Sequence, residues 1–349
     1  MIDLKNTRNS EISGSVPRVT RRRFLAGAGS LLLFGAAGCG GNGSGGSEGS
    51  GEARTIEHKY GTTEITGTPK RLVSVGFTDQ DPILALGVAP TAMSRWIENR
   101  AVWTWNADEL GGEEPELFPA MEMNFEQVAA LEPDLIVGMS SSMTRQTYDT
   151  LSQIAPTVFH TDEYLDFGVP WQVTTRTIGK ALDRRDRAEE VVSDLEARVQ
   201  GIREQHPEFR GTTVALVLPG ESGTFYPWGS QDPRARFMAS LGFEIPQRID
   251  ELAGDRFYAT ISEEELSILD QELLIWLIQT DEQERAIKES EVYRRLDVVQ
   301  RGQDLFFRLS DEEPIVAAFS YGTVLSQPYL LENLVPRLSE ALNAGKTAG

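Results

Sequence analysis

The chain has 349 residues, 40% of them hydrophobic and 25% charged, a globular composition rather than a disordered or membrane-embedded one. That length exceeds one ordinary core and suffices for two. A formal charge of −20 argues against surface binding to nucleic acid or anionic lipid, and residues 1–38 are net positive, so the chain from Cys39 onward carries −24.

The front of the chain reads as an address. Residues 1–20 are polar. Thr20-Arg21-Arg22-Arg23-Phe24-Leu25 then precedes an apolar Ala-, Gly- and Leu-rich run to Phe34 and the small residues Gly35–Gly38, so residues 1–38 are expected to be a signal peptide. The run is too short for a permanent membrane span. The Thr-Arg-Arg-x-Phe-Leu string resembles a twin-arginine export signal, and Ala36-Ala37-Gly38-Cys39 resembles a bacterial lipobox with Ala36 where leucine is usual. Cys39 is the only cysteine, which excludes an internal disulfide and makes it the expected lipidation site. Residues 39–53 form a Gly/Ser-rich tether. Its Gly45-Gly46-Ser47-Glu48-Gly49 string matches a nucleophile elbow in letters alone, with no strand before it or helix after it. The expected location is the extracytoplasmic face of a cell membrane, held by lipid.

Residues 54–168 form the first expected lobe. Thr55–Tyr60 and Thr62–Thr66 flank Gly61 as a hairpin. Arg71–Val75 reads as a buried parallel strand, Asp79–Leu86 as a helix closed by Gly87, and Val88–Met93 as the next strand. Asn124 caps a helix with Gln127 three residues on, followed by the strand Leu135–Gly138, the helix Thr144–Ile154 and the strand Thr157–His160. This rhythm predicts a parallel sheet with helices on both faces.

Residues 169–206 follow as a connecting helix. Trp171, Thr174, Ile178, Ala181, Leu182, Ala188, Val191, Val192, Leu195, Val199 and Ile202 trace one apolar stripe, with charged residues opposite and Pro170 and Pro207 at the ends. The spacing predicts one rigid strut on the order of 50 Å long from Trp171 to His206, at about 1.5 Å per residue.

Residues 207–349 form the second lobe. Thr213–Leu218 is a buried strand, Phe225–Ser230 an aromatic loop, and Asp232–Leu241 a helix closing at Gly242. Ser262–Glu265 is a capping box, Leu273–Leu277 a central strand, Ser320–Gln327 a loop and Pro328–Leu342 a terminal helix. The expected fold class is α/β, two lobes with mainly parallel sheets flanked by helices, joined by one long α-helix.

Arg71–Val75, Asp81–Pro90 and Phe125–Val137 together resemble the substrate-binding proteins of iron-siderophore and cobalamin ABC importers, where the phrases ALGV and ALxPDLI stand at these relative positions. The likeness continues through Leu151–Val158 and Ile178–Leu182, and Glu291–Val299 and Arg301–Arg308 resemble the family's following helix and strand. It implies two lobes joined by one long helix, and capture of a ferric siderophore for an ABC permease and its ATPase.

Ligand loops lie beyond the carboxyl ends of parallel strands. There the first lobe offers Phe77, Thr78 and Asp79, then Arg95 and Trp96 with Trp103 and Trp105, then Ser141 within Ser140–Met143. The second lobe offers Tyr226, Trp228, Arg234, Arg256, Phe257, Tyr258, Phe319 and Tyr321. Four of the six tryptophans thus fall in predicted loops, whereas Trp171 and Trp276 read as core. Aromatics with a few arginines suit a flat, partly apolar, anionic or chelating ligand. The guanidinium fork can meet hydroxamate or catecholate oxygens. The resemblance singles out Arg95 as a ligand contact.

His58, His160 and His206 form no metal-ligand spacing, so no resident metal or cofactor is expected and iron would arrive already chelated. The resemblance also implies a docking acid on each lobe for the permease. Glu122 is the first-lobe candidate; Ala239 stands where the second-lobe glutamate is usual, leaving Asp232 as its substitute. A monomer is expected. The alternatives are a cobalamin or haem carrier of the same fold, or an exported surface interaction protein without a transport role. An exported hydrolase lacks an acid/base pair and a nucleophile elbow.

Overall fold

The computed structural model describes residues 53–96, 100–120, 123–309 and 314–347, all within one compact unit. The signal, most of the tether, the lipidation site Cys39 and the docking candidate Glu122 lie outside the described residues.

The unit opens on the antiparallel hairpin β1 (Arg54–His58) and β2 (Gly61–Ile65), with Gly61 at φ +135° in its turn. The first sheet follows: β3 (Leu72–Ser74), β4 (Ala92–Arg95), β5 (Glu116–Pro119), β6 (Leu135–Val137) and β7 (Thr157–Val158). All pairings are parallel, in the order β5-β4-β3-β6-β7. Asn124 caps the helix Phe125–Ala130 by accepting from the backbone N–H groups of Glu126 and Gln127, as its sequence predicts.

The second sheet contains β8 (Val214–Pro219), β9 (Thr224–Pro227), β10 (Ile261–Ser262), β11 (Leu273–Ile278) and β12 (Asp304–Arg308). Its order is β10-β9-β8-β11-β12. β8, β11 and β12 are parallel, while β9 and β10 turn antiparallel at the edge, so the sheet is mixed. Phe225–Pro227, expected as loop, is therefore strand. The stretch expected as the loop 320–327 also differs: Tyr321 ends the helix Ile315–Tyr321, and Ser326 begins the helix Ser326–Asn333.

The strut corrects the sequence reading most. Trp171–Ala181 and Arg185–Gln205 are separate helices, divided at Asp183, which adopts φ +60°. The connector proper has 21 residues, about 31 Å rather than 50 Å. The apolar stripe hid the break because both helices feed one core. Ile178, Ala181, Leu182 and Ala188 all pack with Leu72, Leu135 and Val158 of the first sheet. Leu195 and Val199, further along, pack instead with Leu216, Ile275 and Phe319 of the second lobe. Trp171 is half-buried against that second core, and Trp276 is fully buried. Buried Arg54 fastens β1 to the joint by donating from Nη2 to the carbonyls of Gly67 and Ala181, the latter at the C-terminal end of the first helix.

Candidate ligand-binding cleft

The order of the first sheet reverses between β3 and β6, and the loops leaving these two strands are tied together. Phe77 N donates to Ser140 O at 2.7 Å, and Ser140 N donates to Asp79 Oδ1 at 2.9 Å. The Asp79 carboxylate lies directly on Gly76, where a Cβ would stand 2.0 Å from Oδ2, so only glycine fits. Asp79 is fully buried, its Oδ2 has no partner among the described residues, and burial pushes its carboxyl up to about 7.

Over these loops stands an aromatic cluster drawn from both lobes. Phe77 meets Trp96 edge-on at 5.6 Å and Tyr321 at 5.1 Å, while Trp103 stacks on Trp105 at 5.2 Å with their planes 5° apart. Tyr321, at the end of a second-lobe helix, also meets Trp105 edge-on at 5.3 Å. Phe167, absent from the sequence reading, completes the group edge-on to Trp96 at 5.8 Å and to Phe77 at 6.4 Å. Each such pair contributes about 0.5–1.5 kcal/mol, enough to align the lobes without welding them. Trp96 is held by donating from Nε1 to Ser94 Oγ, which donates to Gly76 O.

Arg95, one residue before Trp96, ends β4 opposite Pro119. Its Nε is buried with no hydrogen-bond partner among the described residues. A buried donor left unpaired costs about 1–3 kcal/mol, which a ligand oxygen would recover. Ser141 is committed closer to home, donating from Oγ to Gly138 O at 2.8 Å.

The second-lobe candidates form an adjoining group. Tyr258 meets Tyr226 and Trp228 edge-on, each at 5.4 Å. The Arg234 guanidinium lies 4.1 Å from the Trp228 ring centroid. It also bonds both Asp232 oxygens from Nη1 at 3.0 and 2.9 Å, and Ser320 Oγ from Nη2 at 3.0 Å. Arg234 therefore braces Trp228 rather than standing free for a ligand. The Trp228 Nε1 is buried and has no partner among the described residues. Phe257 packs on Gly168, where a Cβ would stand 2.9 Å from the ring, and Arg236 Nη1 donates to Gly168 O at 2.6 Å. The Phe167-Gly168 segment thus touches both aromatic groups.

Two assignments are corrected, those of Phe319 and Asp232. Phe319 is fully buried and edge-on to Phe237 in the second-lobe core, so it is not a ligand contact. Asp232 is only 2% exposed, caps the helix Pro233–Leu241 and pairs with Arg234, so it is not available to a permease. Arg256 donates to the carbonyls of Ala253 and Leu252 at the end of the helix Gln247–Ala253, and its charge acts on the Tyr258 phenol beside it.

Two sheets, a helical connector and an aromatic cluster shared by both lobes define a two-lobed binding protein. The periplasmic binding protein family pattern matches residues 73–305, and the chain belongs to that family. It is 28% identical over 234 residues to the probable siderophore-binding lipoprotein YfiY of Bacillus subtilis, spanning 65% of this chain and 69% of the relative. A periplasmic solute-binding protein of Mycobacterium smegmatis is similar at a TM-score of 0.73 and 29% identity, covering 83% of this chain and 99% of that one. PiaA of Streptococcus pneumoniae, solved in complex with ferrichrome, gives a TM-score of 0.73 at 25% identity with the same coverage.

Proposed function

We propose that this protein is the substrate-binding component of an ABC importer, capturing a ferric siderophore between its lobes and delivering it to a permease and its ATPase. The observation that carries the reading is the cross-lobe cluster of Phe77, Trp96, Trp103, Trp105, Phe167 and Tyr321, with the Nε of Arg95, unpaired among the described residues, one residue before Trp96. Apolar faces suit the body of a chelator, and unpaired donors suit its anionic oxygens. The relatives named above support this choice of ligand. In this reading the protein is a monomeric carrier and not an enzyme, with no cofactor of its own. It is exported by the twin-arginine route and anchored through lipidated Cys39.

Tryptophan fluorescence tests the ligand. The full chain is titrated with a ferric hydroxamate such as ferrichrome, a ferric catecholate, haem and cobalamin. Quenching by one ferric chelate at sub-micromolar concentration is the expected result. A response to haem or cobalamin alone would reassign the ligand, and silence with all four would remove the transport reading. Mass spectrometry of the membrane-bound protein tests whether Cys39 carries lipid.

A further inference from the structure

Asp81 stands in the first turn of the helix Gln80–Ala85, fully buried at the meeting of the two lobes. Its carboxylate accepts from three side chains. Trp105 Nε1 donates at 2.9 Å and Asn106 Nδ2 at 2.7 Å, both from the segment that carries the Trp103–Trp105 stack. Thr323 Oγ1 donates from the second lobe. Indole and amide nitrogens only donate. The Thr323 oxygen already accepts Ser326 N at 3.0 Å, so its one hydrogen is directed at Asp81. The carboxylate satisfies all three donors at once, whereas a proton on Asp81 would find only the second lone pair of Thr323 Oγ1 to bond.

We propose that Asp81 is a positioning residue of the cleft, whose carboxylate holds the Trp103–Trp105 segment and the second lobe in register with each other. The inference rests on the reading of the cleft as the ligand site. One side chain then sets both the placement of a ligand-facing aromatic pair and the apposition of the lobes. The aromatic contacts alone do not do this, since stacked rings slide at small cost whereas three converging hydrogen bonds fix a position.

The arrangement titrates under mild conditions. Burial pushes the Asp81 carboxyl up to about 6, opposed by its bonds from Thr323, Asn106 and Trp105. From the second lobe the Tyr321 phenol faces Asp81, and burial and Asp81 itself hold it far above its ordinary range, so it stays neutral. Asp79 precedes the same helix. Among the elements packed against that helix, the turn Asp108–Leu110 carries Asp108 and Glu109, and Trp171–Ala181 carries Arg176 and Lys180. Arg187 reaches its last turn by donating from Nε to Ala85 O at 3.4 Å.

The test needs no ligand. In the full chain with 15N-labelled tryptophan, the Trp105 indole N–H resonance should titrate with a midpoint near 6, and the titration should vanish in Asp81→Asn. Thr323→Val should leave that titration in place yet broaden the distribution of distances between spin labels placed one on each lobe. A flat Trp105 resonance in the wild type, or unchanged lobe distances in both variants, would overturn the proposal. A ferric chelate that saturates the wild type should bind Asp81→Asn about tenfold more weakly. Failure of every chelate to bind would count against the transport reading, while the ligand-free measurements would still decide the role of Asp81.

Discussion

Gly179 and Ala188 bring the two helices of the joint into backbone contact: a Cβ on Gly179 would stand 2.4 Å from the Cβ of Ala188. Neither atom could yield, since both belong to short side chains on helical backbone. Gly179→Ala should therefore lower unfolding stability by about 1–3 kcal/mol through overpacking. Adding Ala188→Gly removes the opposing atom, and denaturant titration should find part of the loss restored in the double variant.

The buried carboxylates predict an unusual pH response. Asp79 and Asp81 are raised from 3.8 to about 7 and about 6, so the folded protein binds protons that the unfolded chain releases. Their contribution to stability is accordingly largest at low pH and declines as pH rises from about 4 through those values. Asp79→Asn keeps an oxygen for Ser140 N and removes the ionisation. Its stability relative to the wild type should rise by roughly 2–3 kcal/mol between pH 5 and 8, because a folded state holding one extra proton loses about 1.4 kcal/mol for each pH increment of one. Urea unfolding at the two pH values reads the difference.

Arg95→Ala should weaken ferric chelate binding by about tenfold or more, because the ligand loses a buried charged donor. Lys180→Ala, on the helix Trp171–Ala181, should change affinity less than about twofold. Equal losses, measured by fluorescence titration, would place the pocket elsewhere.

Phe319 and Phe167 should separate packing from recognition. Phe319→Ala removes a fully buried ring and should cost about 3–5 kcal/mol of stability. Half-buried Phe167 meets Phe77 and Trp96 edge-on within the aromatic cluster, so Phe167→Ala should cost less in thermal unfolding and more in affinity.

Much of the fold was legible where local chemistry and tertiary structure agree. The buried run at Leu72–Ser74 became the centre of a parallel sheet, and Ser262 and Glu265 form the expected capping box. β5 escaped notice because only Phe118 of its four residues is buried, which leaves no period to detect. The break at Asp183 lacked a glycine or proline, since aspartate tolerates the left-handed region well enough to stand there. Phe77, Trp96, Trp103, Trp105 and Tyr321, read from the strand-end loops, stand together in one cluster. Those loops could not indicate Phe167, a lone aromatic in an irregular stretch, or distinguish Asp81 as interlobe rather than merely helical. Both depend on which distant residues arrive beside them.

The helix Arg185–Gln205 gives Ala188 to one core and Leu195 and Val199 to the other. Its ordering is thus a folding step that neither half completes alone. Loss of either core strips one end of the helix of its apolar partners, and tertiary packing of an apolar face supplies most of a helix's stability in a protein. The two halves should therefore melt as one cooperative unit, despite having a separate sheet each, and calorimetry should record a single transition whose van't Hoff and measured enthalpies agree.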